Sequence, residues 1–206
     1  MKKRAFEKVL PTGYAEALHI DATNKKLGLA LNLIALAVIV AVLTITAGLM
    51  LADGGINLSL GGGETLIAYF IFLVGMAAYV ILHELVHGAA YKLLTGEKLT
   101  FGLKWSCAFC GVPGIYVYRY AALIAVAAPL VLFTLAFLPL TIILYKISHV
   151  YCLMSAFFLG LHLGGCSGDA YVLYLLLFKY KNKNTLVRDT GPEQFFYSPE
   201  EISTNE

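Results

Sequence analysis

Four long apolar stretches constrain the fold of this chain more than any other feature. They cover residues 27–51, 66–94, 121–145 and 150–178, and each has at least the ~20 residues that a helix needs to cross a bilayer. Of the 206 residues, 59% are hydrophobic and 14% are charged. This composition is typical of multispan membrane proteins and rare among soluble domains. The sequence therefore predicts an all-α polytopic membrane protein with about four transmembrane helices.

The distribution of basic residues predicts the orientation of these helices. Lys and Arg concentrate before the first stretch, between the second and third, and after the fourth, while the other two connections contain only Lys146. Because basic residues stay on the cytoplasmic side, we expect a multi-pass protein of the cell membrane with both termini in the cytoplasm. Residues 1–26 would form a cytoplasmic N-terminal arm, 27–178 the membrane-embedded domain and 179–206 a polar tail, which we expect to be loosely ordered.

The net charge of +2 and the lack of a Lys/Arg-rich block argue against a nucleic-acid partner. The lipid bilayer is the partner that the composition indicates.

A β-hairpin-like loop is predicted between the second and third helices. Residues 99–105 and 115–120 are rich in β-branched and aromatic side chains, and Gly111-Val112-Pro113-Gly114 lies between these two arms. If such a hairpin enters the membrane, it must rest on protein or line a wet cavity, because a strand edge cannot face lipid.

The second apolar stretch contains His83-Glu84-Leu85-Val86-His87. Two histidines four positions apart lie on one face of a helix, where they can hold a zinc ion, and the glutamate can take a proton from a zinc-bound water. Ionisable side chains within an apolar stretch are costly, so they indicate function. The motif predicts a Zn²⁺ site with His83 and His87 as ligands and Glu84 as the general base.

A catalytic zinc ion needs a third protein ligand. Asp169 is the leading candidate, since it is the only acidic residue within the other three stretches. Small residues next to it would let helices approach closely. His162 and Cys166, in the same stretch, are the alternatives, and His162 could instead support another ligand.

Cys107 and Cys110 have C-x-x-C spacing, but no second pair completes a structural zinc site. We expect two cysteines in an apolar loop, with a redox or thiolate role as the alternative.

The order of these features resembles the DUF3267 family of small bacterial and archaeal membrane proteins, which are described as zincin peptidases. The resemblance runs from Leu10 to Phe178 and includes Ala128-Pro129 at the third stretch and Gly168-Asp169 in the last. It implies His83 and His87 as zinc ligands, Glu84 as the catalytic acid/base and Asp169 as the third ligand. More distantly, the layout is similar to that of site-2 proteases, which cleave membrane-spanning substrates within the bilayer.

The leading hypothesis is an intramembrane zinc endopeptidase that acts on a membrane-anchored protein or peptide, with the loop of residues 99–120 receiving an unwound substrate as an added strand. One alternative is a noncatalytic membrane scaffold or binding protein with a structural metal, whose closed shell would include His162 or Cys166. Another is zinc-dependent hydrolysis of a non-peptide bond, such as a lipid amide.

Overall fold

Helices make up most of the described chain. The computed structural model describes residues 4–104 and 108–200. Three helices are long and apolar enough to cross a membrane, and a fourth candidate span consists of two helices joined at a 40° bend. The four predicted stretches are thus confirmed as apolar helical segments. The helices are α1 (Lys25–Ala52), α2 (Gly62–Thr95), α3 (Arg119–Tyr145), α4 (His149–Gly165) and α5 (Ser167–Tyr174), which continues into a π-helical turn, Leu175–Lys179.

Contacts between Cα atoms divide the chain into two compact units. The helix unit contains residues 29–83 and 129–169, and the sheet unit contains residues 1–28, 84–128 and 170–206. The division falls within α2, between His83 and Glu84, although α2 is one unbroken helix. The predicted partition at residues 26/27 and 178/179 concerns location relative to a membrane and stays a prediction.

The helix unit exposes many large apolar side chains, while several small or polar ones are buried. Leu66 is 73% exposed and Leu135 is 69% exposed, whereas Cys152, Ser155 and Ala156 are buried. A surface with so many exposed apolar groups is unfavourable next to water. This distribution fits a bundle whose outer surface contacts an apolar solvent.

Glycines let α4 approach α1 closely, as the small residues of this stretch predict. A β-carbon added at Gly164 would lie 2.7 Å from both the Cα atom and the carbonyl oxygen of Ala35. One added at Gly160, one turn earlier, would lie 2.9 Å from the Cα atom of Ile39. Only a residue without a side chain fits at these separations, so the two glycines fix the contact between the two helices.

The sheet unit corrects the prediction of an all-α fold and of a loose tail. Its five-stranded antiparallel sheet joins the N-terminal arm to the tail, with the strand order β1-β5-β6-β7-β2. These strands are β1 (Phe6–Glu7), β2 (Tyr14–Asp21), β5 (Tyr116–Tyr118), β6 (Leu186–Asp189) and β7 (Glu193–Pro199). The longest pairing, β2 with β7, runs from Tyr14↔Pro199 to Asp21↔Glu193.

The predicted hairpin is half right. Its first arm does form a strand, β3 (Thr100–Leu103), but the partner is β4 (Ala108–Gly111). The predicted second arm, β5, pairs instead with β1 and β6. Strand β4 ends at Gly111, the first residue of the predicted turn, and β5 belongs to the larger sheet.

Apolar side chains from the sheet and from helix ends form the core of the sheet unit. Val117, Val187 and Phe196 contribute from the strands, and Ala121 and Leu176 from the helices, and each is at most 2% exposed. Burial of these residues stabilises a sheet in which β1 has only two residues and β5 only three.

Replacing Gly164 with alanine is expected to destabilise the helix unit by about 1–3 kcal/mol, because the added methyl group meets the Ala35 backbone. Gly48→Ala is the matched control, since no atom lies within 4 Å of the added carbon in α1 and alanine favours a helix by up to about 1 kcal/mol. Thermal unfolding in one detergent should show a lower Tm for Gly164→Ala only. Equal Tm values for the two variants would contradict the close approach.

Candidate metal centre

The two histidines of the sequence motif lie on the same face of α2. Four residues of α-helix rotate through about 400°, which places His87 one turn after His83 and about 40° around the axis. The helix is unbroken here because residues 62–95 contain no proline, and it has Glu64 in its first turn and Lys92 in its last, each favoured by the helix dipole. The spacing of the motif therefore suits two ligands on one face of a helix.

Asp169 contacts His83 within the helix unit. Its Oδ2 atom lies 3.3 Å from Nε2 of His83, whose side chain is only 11% exposed. Asp169 belongs to the first turn of α5, immediately after the break at Cys166. The positive end of a helix dipole stabilises a carboxylate at such a position. The break in the fourth apolar segment thus presents a carboxylate to the first histidine of the motif.

His87 is oriented by a backbone carbonyl of the sheet unit. Its Nδ1 atom lies 2.9 Å from the oxygen of Ala125 in α3. A carbonyl can only accept, so Nδ1 carries the proton and donates it, and the lone pair of the neutral ring is on Nε2. Histidines that bind metals almost always donate their other ring N–H in this way.

His162 and Cys166 also lie close to His83. The three side chains offer ligand atoms that are all within 4.8 Å of one another. His162 and Cys166 are almost fully buried, and both nitrogens of His162 have hydrogen-bonding neighbours. Its Nε2 atom is 3.2 Å from the Leu130 oxygen, and its Nδ1 atom is 3.0 Å from the Tyr79 hydroxyl. A ring engaged at both nitrogens is better suited to supporting a ligand than to being one.

Sequence reasoning missed Tyr79, although a signal for it exists. Tyr79 precedes His83 by four positions, the spacing that also separates His83 from His87, so it lies on the same face of α2. Its hydroxyl oxygen is 3.3 Å from Nδ1 of His83. Tyrosine is common in apolar helices, and only the tertiary contact distinguishes this one.

Cys110 is buried in β4 of the sheet unit and is poorly suited to be a thiolate ligand. Burial, followed by the negative charges of Asp189 and Glu84, raises the pKa of its thiol to about 12. The thiol therefore stays protonated at neutral pH, which favours the predicted passive role. Cys107, the other half of the C-x-x-C spacing, lies outside the described residues.

The chain matches the DUF3267 family, described as “Putative zincin peptidase”, over residues 76–184. The match covers just over half of the chain, and the protein belongs to this family. It begins later than the predicted resemblance, which started at Leu10, but it contains His83, Glu84, His87 and Asp169. The family name implies zinc. No curated protein matches the chain, and no solved structure does.

The Cys110 thiol is expected to react with iodoacetamide roughly 1,000 times more slowly than an exposed cysteine at neutral pH, because a pKa of about 12 instead of 9.0 lowers the thiolate fraction by that factor. Reactivity should rise about tenfold with each pH unit below this pKa. Peptide-resolved mass spectrometry checks the rate, with the SDS-unfolded protein as the control. Equal rates in the folded and unfolded protein at pH 7.5 would contradict the raised pKa.

Proposed function

We propose that the protein is an intramembrane zinc endopeptidase that hydrolyses peptide bonds of membrane-associated proteins or peptides. The contact between His83 and Asp169 carries this proposal. Two ligands of one tetrahedral zinc ion, each about 2.0–2.1 Å from the metal, are separated by about 3.3 Å. The separation of the Nε2 and Oδ2 atoms is 3.3 Å, so this pair has the spacing of two ligands of one ion.

The proposed ligands are Nε2 of His83, Nε2 of His87 and the carboxylate of Asp169. Two nitrogens and one oxygen leave one position for water, as catalytic zinc sites require. The charges also match, because the carboxylates of Asp169 and Glu84 balance the two positive charges of the ion when both histidines are neutral. An uncompensated charge in an apolar bundle would be costly.

Glu84 is the proposed general base. A bound zinc ion would polarise the scissile carbonyl and lower the pKa of the attacking water toward about 7. Glu84 is adjacent to His83 in α2, and its carboxylate would accept the proton of that water and then deliver it to the leaving amine. The same residue thus serves both halves of the reaction.

The setting of the proposed reaction is the cell membrane. The helices that qualify by length and composition and the exposed apolar side chains of the helix unit support insertion. The excess of Lys and Arg before the first span, between the second and third, and after the fourth favours cytoplasmic termini. The substrate would therefore be a membrane-anchored protein or peptide whose scissile bond reaches the cytoplasmic half of the bilayer.

Strand β3 is the proposed docking edge for an extended substrate. In the sheet unit, Phe101 of β3 lies directly over Gly88, where an added β-carbon would be 2.6 Å from the ring. Gly88 follows His87, so β3 is held beside the second histidine. Within the described residues β3 pairs with β4 alone, and its other edge can bind a backbone by strand addition. A helical substrate must unwind first, since its carbonyls are otherwise hidden.

A second candidate function is a noncatalytic scaffold with a structural metal. The closeness of His83, His162 and Cys166 favours it, because these residues could contribute to a closed shell without a position for water. In that case Glu84 would have no catalytic role.

Purified protein is expected to contain about one zinc ion per chain, and His87→Ala and Asp169→Ala should each reduce the content to near zero, since a three-ligand site rarely survives the loss of a ligand. Metal analysis of dialysed samples measures this. His19→Ala, a histidine in β2, is the matched control and should retain zinc. Full retention of zinc by Asp169→Ala would rule out Asp169 and point to His162 or Cys166.

Glu84→Gln should keep its zinc but lower peptide cleavage by about 10²–10⁴-fold, because general acid–base catalysis contributes that much. The rate is measured in liposomes with a single-span fluorogenic peptide that the wild-type protein cleaves, selected from a library of such peptides. A library that the zinc-loaded wild-type protein leaves intact would favour the scaffold, and undiminished cleavage by Glu84→Gln would exclude this role of Glu84.

A further inference from the structure

A chain of buried hydrogen bonds lies behind His83 in the helix unit. The Tyr79 hydroxyl is 3.3 Å from Nδ1 of His83 and 3.0 Å from Nδ1 of His162. On the far side of His162, its Nε2 atom is 3.2 Å from the oxygen of Leu130. The chain therefore connects a backbone carbonyl of α3 to the histidine motif of α2 through two side chains.

The Leu130 carbonyl fixes the proton positions along this chain. It can only accept, so Nε2 of His162 carries a proton and donates it. The hydroxyl of Thr134, 3.1 Å from the same nitrogen, can share this proton. His162 has no exposed surface. A charged ring would be costly in such a buried position, so the ring is neutral. A neutral ring has one proton, so Nδ1 of His162 is an acceptor.

The next two bonds follow from this assignment. The Tyr79 hydroxyl has one proton and donates it to Nδ1 of His162, which leaves its oxygen as an acceptor for Nδ1–H of His83. The Cys166 sulfur, 3.5 Å from Nδ1 of His162, can only add a second donor to that nitrogen and does not change the order.

We propose that Tyr79 and His162 are positioning residues that keep a proton on Nδ1 of His83, which leaves Nε2, 3.3 Å from Oδ2 of Asp169, as the metal-binding atom of the ring. The relay gives Nδ1 of His83 the role that Nδ1 of His87 obtains directly from the Ala125 carbonyl. The Nδ1 proton of His83 is a property of the metal-free chain and does not depend on whether Nε2, which faces the Asp169 carboxylate, also carries a proton. Only its effect on metal affinity rests on the proposed zinc site.

The hydrogen bonds of the Tyr79 hydroxyl can be tested separately from the packing of its ring. The ring packs edge-on against Phe133, at a centroid distance of 5.4 Å, and lies 5.9 Å from Phe137. A phenylalanine at position 79 keeps these contacts and removes only the link between the two histidines. Tyr91→Phe is the matched control, because Tyr91 is also buried in α2 and its hydroxyl donates to Asp189 at 2.8 Å, in the sheet unit.

The tautomer can be measured by ¹⁵N NMR of the histidine rings in the metal-free protein in detergent micelles. The wild-type protein and Tyr91→Phe should show a proton on Nδ1 of His83, whereas Tyr79→Phe should show a population of His83 rings without a proton on Nδ1. Zinc affinity, measured by chelator competition, should fall about 10–100-fold in Tyr79→Phe and stay unchanged in Tyr91→Phe.

The outcomes of these measurements distinguish a failure of the relay from a failure of the proposed zinc enzyme. An Nδ1 of His83 that carries no proton in the wild-type protein would overturn the relay even if zinc binds. The relay would also be overturned if Tyr79→Phe kept both the wild-type tautomer and the wild-type affinity, or if Tyr91→Phe lost as much affinity as Tyr79→Phe. Wild-type protein that binds no zinc but shows the Nδ1–H tautomer, lost in Tyr79→Phe, would support the relay while contradicting the enzyme.

Discussion

A polar side chain that is buried among apolar helices must find its hydrogen bonds there, because removing it from water without a partner costs several kcal/mol. The helix unit meets this requirement by joining its polar groups to one another. His162 has no exposed surface, yet both of its ring nitrogens have neighbours in Tyr79 and in the α3 backbone. Each group in such a cluster depends on the next, so a single substitution is felt along the whole chain of bonds.

The two histidines of the motif are oriented by different kinds of hydrogen-bond partner: a backbone carbonyl for His87 and side chains for His83. His87 is held by a single bond to the backbone of Ala125, which no side-chain substitution can remove directly. His83 depends on two intervening side chains, Tyr79 and His162. The orientation of His87 is therefore insensitive to side-chain substitutions, whereas the orientation of His83 depends on the side chains of Tyr79 and His162.

Sequence reasoning succeeded where a local property decides the structure. Apolar length alone marks the four helical segments, and helical spacing alone places His83 and His87 on one face. Asp169 could be singled out because acidic residues are rare in apolar stretches, and the structure places it next to His83. Its role as a ligand stays a prediction. The sheet could not be found in this way, because β1 has two residues and the partners in β2 and β7 are separated by most of the chain. Tyr79 was missed for a related reason, since its contact with His162 spans 83 positions.

The pairing of β2 with β7 also has a consequence for synthesis. Residues 14–21 leave the ribosome long before residues 193–199, which supply their partner strand. At about 5–20 residues per second, the interval is on the order of 10–40 s. Throughout that time the nascent chain carries one edge of β2 without its eventual neighbour, while all the apolar helices are being made. The side chains of β2 include the polar Glu16 and His19, and charged or polar side chains on such an unpaired edge disfavour pairing with other chains.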